Sequence, residues 1–223
     1  MDRKPGLIVS GALLALMFAL SAWAWVQTPA DALIPVHWGV SGTPDRYGSK
    51  LEALLVIPLI TIGVIGLFVV IPWVEPRRKN LERSVQAYTV VWIGVVLVMA
   101  AIHLAAVLAA LGYAVNMAMI IPAIVGLLFI AIGFSIGKVR SNYTMGIRTP
   151  WTLSSDLSWE KSHRLGGWLF TLLGILLILL TPIGNGPLLF GVLIGGALGL
   201  AAVLMVYSYL VWRDDPNKRN SGH

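Results

Sequence analysis

Hydrophobic positions in this chain fall in long unbroken runs, without the spacing that marks one face of a soluble helix or strand. Four stretches contain no Lys, Arg, Asp or Glu: 5–30, 53–74, 84–137 and 165–212. The hydrocarbon core of a bilayer, about 30 Å thick, takes roughly 20 helical residues at 1.5 Å each. The first two stretches therefore hold one span each, and the last two, 54 and 48 residues long, hold two each. Turns are expected midway through the doubled stretches, at 111–116 and 181–187, where Gly, Pro and Asn gather. The pattern predicts an all-α integral membrane protein with six transmembrane helices near 7–26, 53–73, 87–110, 118–137, 165–181 and 188–212. A membrane β-barrel is excluded, because its strands alternate apolar and polar positions over about ten residues.

Composition agrees: the 223 residues are 57% hydrophobic and 12% charged, against about a quarter charged in a soluble domain. Basic residues set the orientation, since short loops rich in Lys and Arg stay cytoplasmic. With the N-terminus inside, 14 of the 16 Lys and Arg fall on the cytoplasmic side, the last being Lys218 and Arg219, and only Arg46 and Lys50 fall outside. Both termini are thus predicted to be cytoplasmic in a multi-pass protein of the cell membrane. The net charge of +6 then follows from topology, and no direct nucleic-acid contact is expected. The apolar run after Met1-Asp2-Arg3-Lys4 exceeds the 7–15 residues of a signal peptide and is read as an uncleaved first span. No cysteine occurs, which removes disulfides and thiol ligands.

Two soluble segments are long enough to carry a site: an outer loop at 27–52 and an inner loop at 138–164. They divide the chain into an N-terminal helical hairpin, 1–85, and a C-terminal four-helix region, 86–223. The connection 75–83 reads as a short orienting linker. Pro58, Pro122 and Pro187, spaced by 64 and 65 residues, suggest either a threefold hairpin repeat or simply proline in first helical turns, the reading preferred here. Gly191, Gly195 and Gly199 form a ridge at i, i+4, i+8, and Gly133 and Gly137 a shorter one. Both are read as packing surfaces against helices of the same chain, with homodimerisation as the second use. Trp23, Trp25, Trp73, Trp168 and Trp212 lie near expected helix ends, as an interfacial belt requires.

His103 is the one titratable group besides tyrosine well inside a span. Such groups are functional candidates because they are costly to place in lipid. Without a membrane carboxylate to complete a relay, a neutral, hydrogen-bonded histidine is the preferred reading. In the outer loop, 34–38 has extended character, Gly39 and Gly42 can supply unusual backbone angles, and Thr43-Pro44-Asp45-Arg46 suits a turn. His37 and Asp45 are two metal-type ligands without a third, so no metal or other cofactor is expected. A compact loop presenting Trp38, Arg46 and Tyr47 outward suits contact with a peptide or lipid. In the inner loop, Thr149 is pushed to extended geometry by Pro150, and Ser154 or Ser155 can cap a helix with Asp156 in its first turn. That amphipathic helix places Trp159 and His163 on one face and pairs Glu160 with Arg164. Arg148, set among uncharged and aromatic residues, is a candidate for a phosphate or a partner carboxylate.

At these two loops the sequence resembles the SdpI family of bacterial membrane proteins, named for immunity to a secreted sporulation-delaying toxin. The outer match is Ile34-Pro35-Val36-His37-Trp38 through Gly42, with Pro44-Asp45-Arg46-Tyr47-Gly48 and Lys50. It resembles a domain of unknown function that often precedes the family's core. The inner match is Asn142, Gly146-Ile147-Arg148-Thr149-Pro150-Trp151-Thr152, Trp159 and His163. The resemblance implies a non-enzymatic immunity or signal-transduction protein. Such a protein would meet a secreted antimicrobial peptide outside and, as in the founding member, hold an ArsR-like repressor at the membrane. An alternative from the residues is a small-solute or lipid transporter using His103. A membrane-embedded enzyme using His37 with Asp45, or His163 with Arg148, ranks last, since neither pair has a nucleophile or metal shell.

Overall fold

The structure, a computed structural model, describes residues 2–218; Arg219 of the basic tail lies outside them. Six helices are long and apolar enough to cross a membrane. They are α1 (Lys4–Gln27), α2 (Lys50–Val74), α4 (Val85–Ala110), α5 (Met117–Ile136), α7 (Asp156–Leu180) and α8 (Gly186–Arg213). Two short helices, α3 (Arg78–Arg83) and α6 (Pro150–Ser154), and a hairpin of β1 (Ile34–Trp38) and β2 (Pro44–Gly48) complete the chain. A 3-10 turn at Thr181–Ile183 and left-handed Gly184, with φ of 72°, break the last apolar stretch where expected.

The helices pack as two groups of three. α1, α2 and α4 contact one another, as do α5, α7 and α8, and α4 on α5 joins the groups. The first group closes around Trp92, Tyr88, Val96 and Leu81, with Phe68 stacked on Trp92 at 5.5 Å. The second closes through glycine. A Cβ on Gly174 would lie 2.4 Å from the Gly126 carbonyl oxygen, and one on Gly133 2.7 Å from that of Gly167. Backbone approach this close is how helices gain dispersion contacts in lipid. Gly133 therefore packs as expected. The α8 ridge does not: a Cβ at Gly191, Gly195 or Gly199 meets nothing within 4 Å, and Gly196 is the residue that faces Leu173. The i, i+4, i+8 spacing identified a smooth face but not its direction.

α7 starts at Asp156 as the Ser155 cap predicts, with Ser155 accepting from Ser158 N–H at 2.9 Å, and it continues unbroken into the span. Trp168 consequently sits mid-helix, 68% exposed, instead of at an end. Pro187 occupies a first turn, but Pro58 and Pro122 lie inside α2 and α5, where membrane helices tolerate the lost hydrogen bond.

Candidate functional site

The loops gather at two ends of the bundle. At one end the β hairpin covers the helices. His37 pairs with Arg46 and Trp38 with Pro44 across the strands, with register shifts on either side of His37. The turn lies at Gly39–Thr43, not at Thr43–Arg46: Gly42 N–H donates to Gly39 O at 2.9 Å and Gly39 N–H to Thr43 O at 3.0 Å. Gly42 takes φ of 85° and lies against Asn116, where a side chain would collide with the Asn116 amide. Pro44, Asp45 and Arg46 belong to β2 instead.

Residues eight and six positions apart pair here. His37 Nδ1 bonds Asp45 Oδ1 at 2.5 Å, and Arg46 Nη1 donates to Glu52 Oε1 at 2.6 Å. Both pairs are largely exposed. Lys50 is tied down: its ammonium donates to Thr28 O at 2.6 Å and lies 4.9 Å from the Trp25 ring centre. Tyr47 points outward, 54% exposed, as expected. Trp38 does not: half-buried, it lines an apolar cavity of about 360 Å³ beneath the hairpin. Val56 and Ile57 of α2, Ile102 of α4, Ile121 of α5 and Phe190 of α8 form the other walls, and Arg46 and Glu52 stand at its polar edge. The size falls in the range of about 300–1,000 Å³ usual for ligand pockets.

The opposite end is a hydrogen-bonded knot. Asn142, fully buried, donates to Arg140 O, while its Oδ1 accepts from Thr144 N–H at 2.9 Å and Met145 N–H at 2.7 Å. Trp159 Nε1 donates to Val139 O at 2.7 Å, and His163 stacks on Trp159 at 4.0 Å. Both His163 nitrogens are occupied: Nδ1–H donates to Trp159 O at 2.8 Å, and Nε2 accepts from Ile147 N–H at 3.0 Å. Gly146, with φ of 116°, brings the backbone against that ring. Trp159 and His163 share one face as expected, and that face is turned into the protein. Arg148 is exposed and donates to Tyr143 O at 2.5 Å, so it does not pair with His163. Trp151 makes an edge contact with Tyr209 at 5.3 Å, and Glu160 meets Arg164 at 3.9 Å as the spacing predicts.

The linker 75–83 is part of this knot, which sequence reading missed. Glu75 is 4% exposed and accepts Arg77 N–H at 2.8 Å and Tyr143 N–H at 3.1 and 3.2 Å through its two oxygens. Arg77 donates to Ser141 Oγ and to Leu153 O and lies over the Tyr143 ring. A Glu directly before Pro76, at the head of a basic stretch, was the available signal. The segment that follows α8 joins through Ser155 Oγ, which donates to Asp215 Oδ2 at 2.5 Å. That hydroxyl and the Asn217 N–H hold the Asp215 carboxyl below its ordinary range.

His103 belongs to neither loop network. It is fully buried, its Nε2 within 3.0 Å of Ser21 Oγ and 3.1 Å of Met17 O, while Ser21 Oγ donates to Leu54 O at 2.6 Å. The ring ties α1, α2 and α4 together, and its Nδ1 has no protein partner among the described residues. It does not line the hairpin cavity. No group of three or more His, Cys, Asp or Glu positioned for a metal occurs among the described residues.

Six apolar helices long enough to cross a membrane, with the charged side chains gathered in the segments at their ends, define a multi-pass helical membrane protein. Comparison with known families then reaches both ends. Residues 138–208 match the SdpI/YfhL protein family, and residues 12–62 match a domain of unknown function, DUF1648. The immunity protein SdpI of Bacillus subtilis (strain 168) is 25% identical over 174 residues, covering 78% of this chain and 80% of that relative. The likeness to the SdpI family expected from the two loops is therefore confirmed. No solved structure matches the chain.

Proposed function

We propose that this protein is a non-catalytic immunity and signalling protein of the cell membrane, with both termini cytoplasmic. On this reading the β hairpin meets a secreted antimicrobial peptide outside, and the Arg148 loop docks a cytoplasmic partner such as an ArsR-like repressor. The observation that carries it is the placement of the two family-like loops. They lie at opposite ends of a bundle that similarity ties to an immunity protein. The hairpin is held by its own pairs and by Asn116, leaving His37, Asp45 and Tyr47 exposed for contact. At the other end, Asn142, Trp159 and His163 spend their polar atoms on backbone and act as scaffold, which leaves Arg148 and neighbouring Tyr143 as the presented groups.

The test is survival of peptide-sensitive cells that express the wild type, Asp45→Ala or Arg148→Ala at matched membrane abundance. Wild type should protect, Asp45→Ala should lose protection, and Arg148→Ala should keep protection but lose recruitment of the repressor to membranes. Wild type that protects against no peptide would remove the immunity reading. Cysteine labelling from either side checks the orientation: the Ser41→Cys variant should react with an impermeant maleimide in intact cells, and the Lys79→Cys variant should not. The transporter reading needs His103 on a permeation path, and its enclosure between three helices gives that no support.

A further inference from the structure

The proposed function leaves the cavity beneath the hairpin without an occupant. We propose that it receives an apolar, uncharged stretch of the secreted peptide, with the Trp38 ring as one wall; this rests on the peptide reading above. Position comes first. The walls use the opening turns of three helices: 52–57 of α2, 117–122 of α5 and 186–193 of α8. Ile102 and Ala106, toward the end of α4, complete the lining. α2 belongs to one helix group and α8 to the other, so the space between them is closed by the hairpin and not by helix packing.

Depth and charge then select the occupant. Two helical turns span about 11 Å, whereas a lipid chain starting at headgroup level runs through a leaflet of about 15 Å. The cavity is thus short for an acyl tail and suited to a few side chains of a peptide lying in the interface. A phospholipid would also want an unpaired cation for its phosphate. Among the described residues the edge offers none: Arg46 is bonded to Glu52, His37 to Asp45, and Lys50 is turned away onto Thr28 O and Trp25. Each charge at the mouth already has a partner, and the interior would leave a buried ligand charge without one, which is costly. The recognised group is therefore apolar and neutral, with hydrogen bonding left to the hairpin above it.

The chain lacks cysteine, so single-cysteine variants report cleanly. Ile121→Cys places a thiol in the wall, and Leu67→Cys, on the exposed face of α2, is the control. The full chain in phosphatidylcholine vesicles is labelled with a maleimide, with and without a synthetic ten-residue Leu/Phe peptide capped at both ends. The peptide should slow labelling at least tenfold in the Ile121→Cys variant and less than twofold in the Leu67→Cys variant. The same peptide with a central Lys or Glu should not slow it. Filling the space with Ala53→Phe, or more gently with Ala53→Leu, should abolish the slowing while helical content is unchanged. Equal slowing at both thiols, no slowing, insensitivity to Ala53→Phe and Ala53→Leu, or slowing by stearate in place of the peptide would each overturn the proposal. Labelling with a synthetic peptide reads out independently of cell survival. Failure here with protection intact removes the cavity and leaves the immunity reading. Slowing as expected without protection does the reverse.

Discussion

Gly174→Ala is the sharpest probe of how the second helix group is built. The added methyl would lie 2.4 Å from Gly126 O, 2.8 Å from an Ile130 side-chain carbon and 3.0 Å from the Ile130 backbone nitrogen. Ordinary contact begins near 3.4 Å, so α5 and α7 must separate by about 1 Å, since a backbone oxygen cannot rotate away. Separation loosens the matched approach of Gly133 on Gly167 two turns along, and overpacking of this kind costs about 1–3 kcal/mol. For a chain of this size that corresponds to a midpoint lowered by roughly 3–10 °C. Gly195→Ala on α8 is the internal control, because its methyl meets nothing within 4 Å and helical propensity favours alanine over glycine. The assay is loss of the monodisperse peak on size-exclusion chromatography after stepwise heating in one detergent. Equal midpoints for Gly174→Ala and wild type, or a drop for Gly195→Ala as large as for Gly174→Ala, would refute the assignment of the packing face.

Glu75→Gln keeps the shape of the side chain but removes the charge that accepts Tyr143 and Arg77 N–H, at a cost of about 1–3 kcal/mol. Limited proteolysis should then cut within 139–149 sooner than in wild type. The Asp215 carboxylate, held below its ordinary range by Ser155 and Asn217, stabilises the tail above the unfolded value near 4. That contribution is lost as pH falls through the lower folded value. Proteolytic release of the C-terminus should therefore be flat from pH 8 to 5 and rise only below about 4, and Ser155→Ala should make it rapid throughout. His103→Ala should lower the thermal midpoint by removing the tie to Ser21 and Met17, yet leave vesicle solute flux at the wild-type level.

Ser155 shows how far local signals carry: a Ser-Asp pair after a short polar run sufficed to place a helix start, because the cap is satisfied by atoms three residues away. The Glu160–Arg164 contact was legible for the same reason. Asn142 and His163 were legible as part of the family-like inner match, but not as scaffold, since their partners lie in loop backbone that only the folded knot brings near. Glu75 was passed over entirely; its burial depends on Tyr143, 68 residues away.

The number and approximate extent of the membrane helices were determined by sequence alone, because lipid solvates no charge and demands internally bonded backbone whatever the neighbours are. What the helices turn toward one another was decided by tertiary structure. Without a hydrophobic difference between lipid and protein interior, an apolar helix carries no mark of its buried side. That is why the Gly191–Gly195–Gly199 ridge faces outward while Gly126 and Gly174 meet, and why Trp38, expected on the outside of its loop, became a wall of the cavity beneath it.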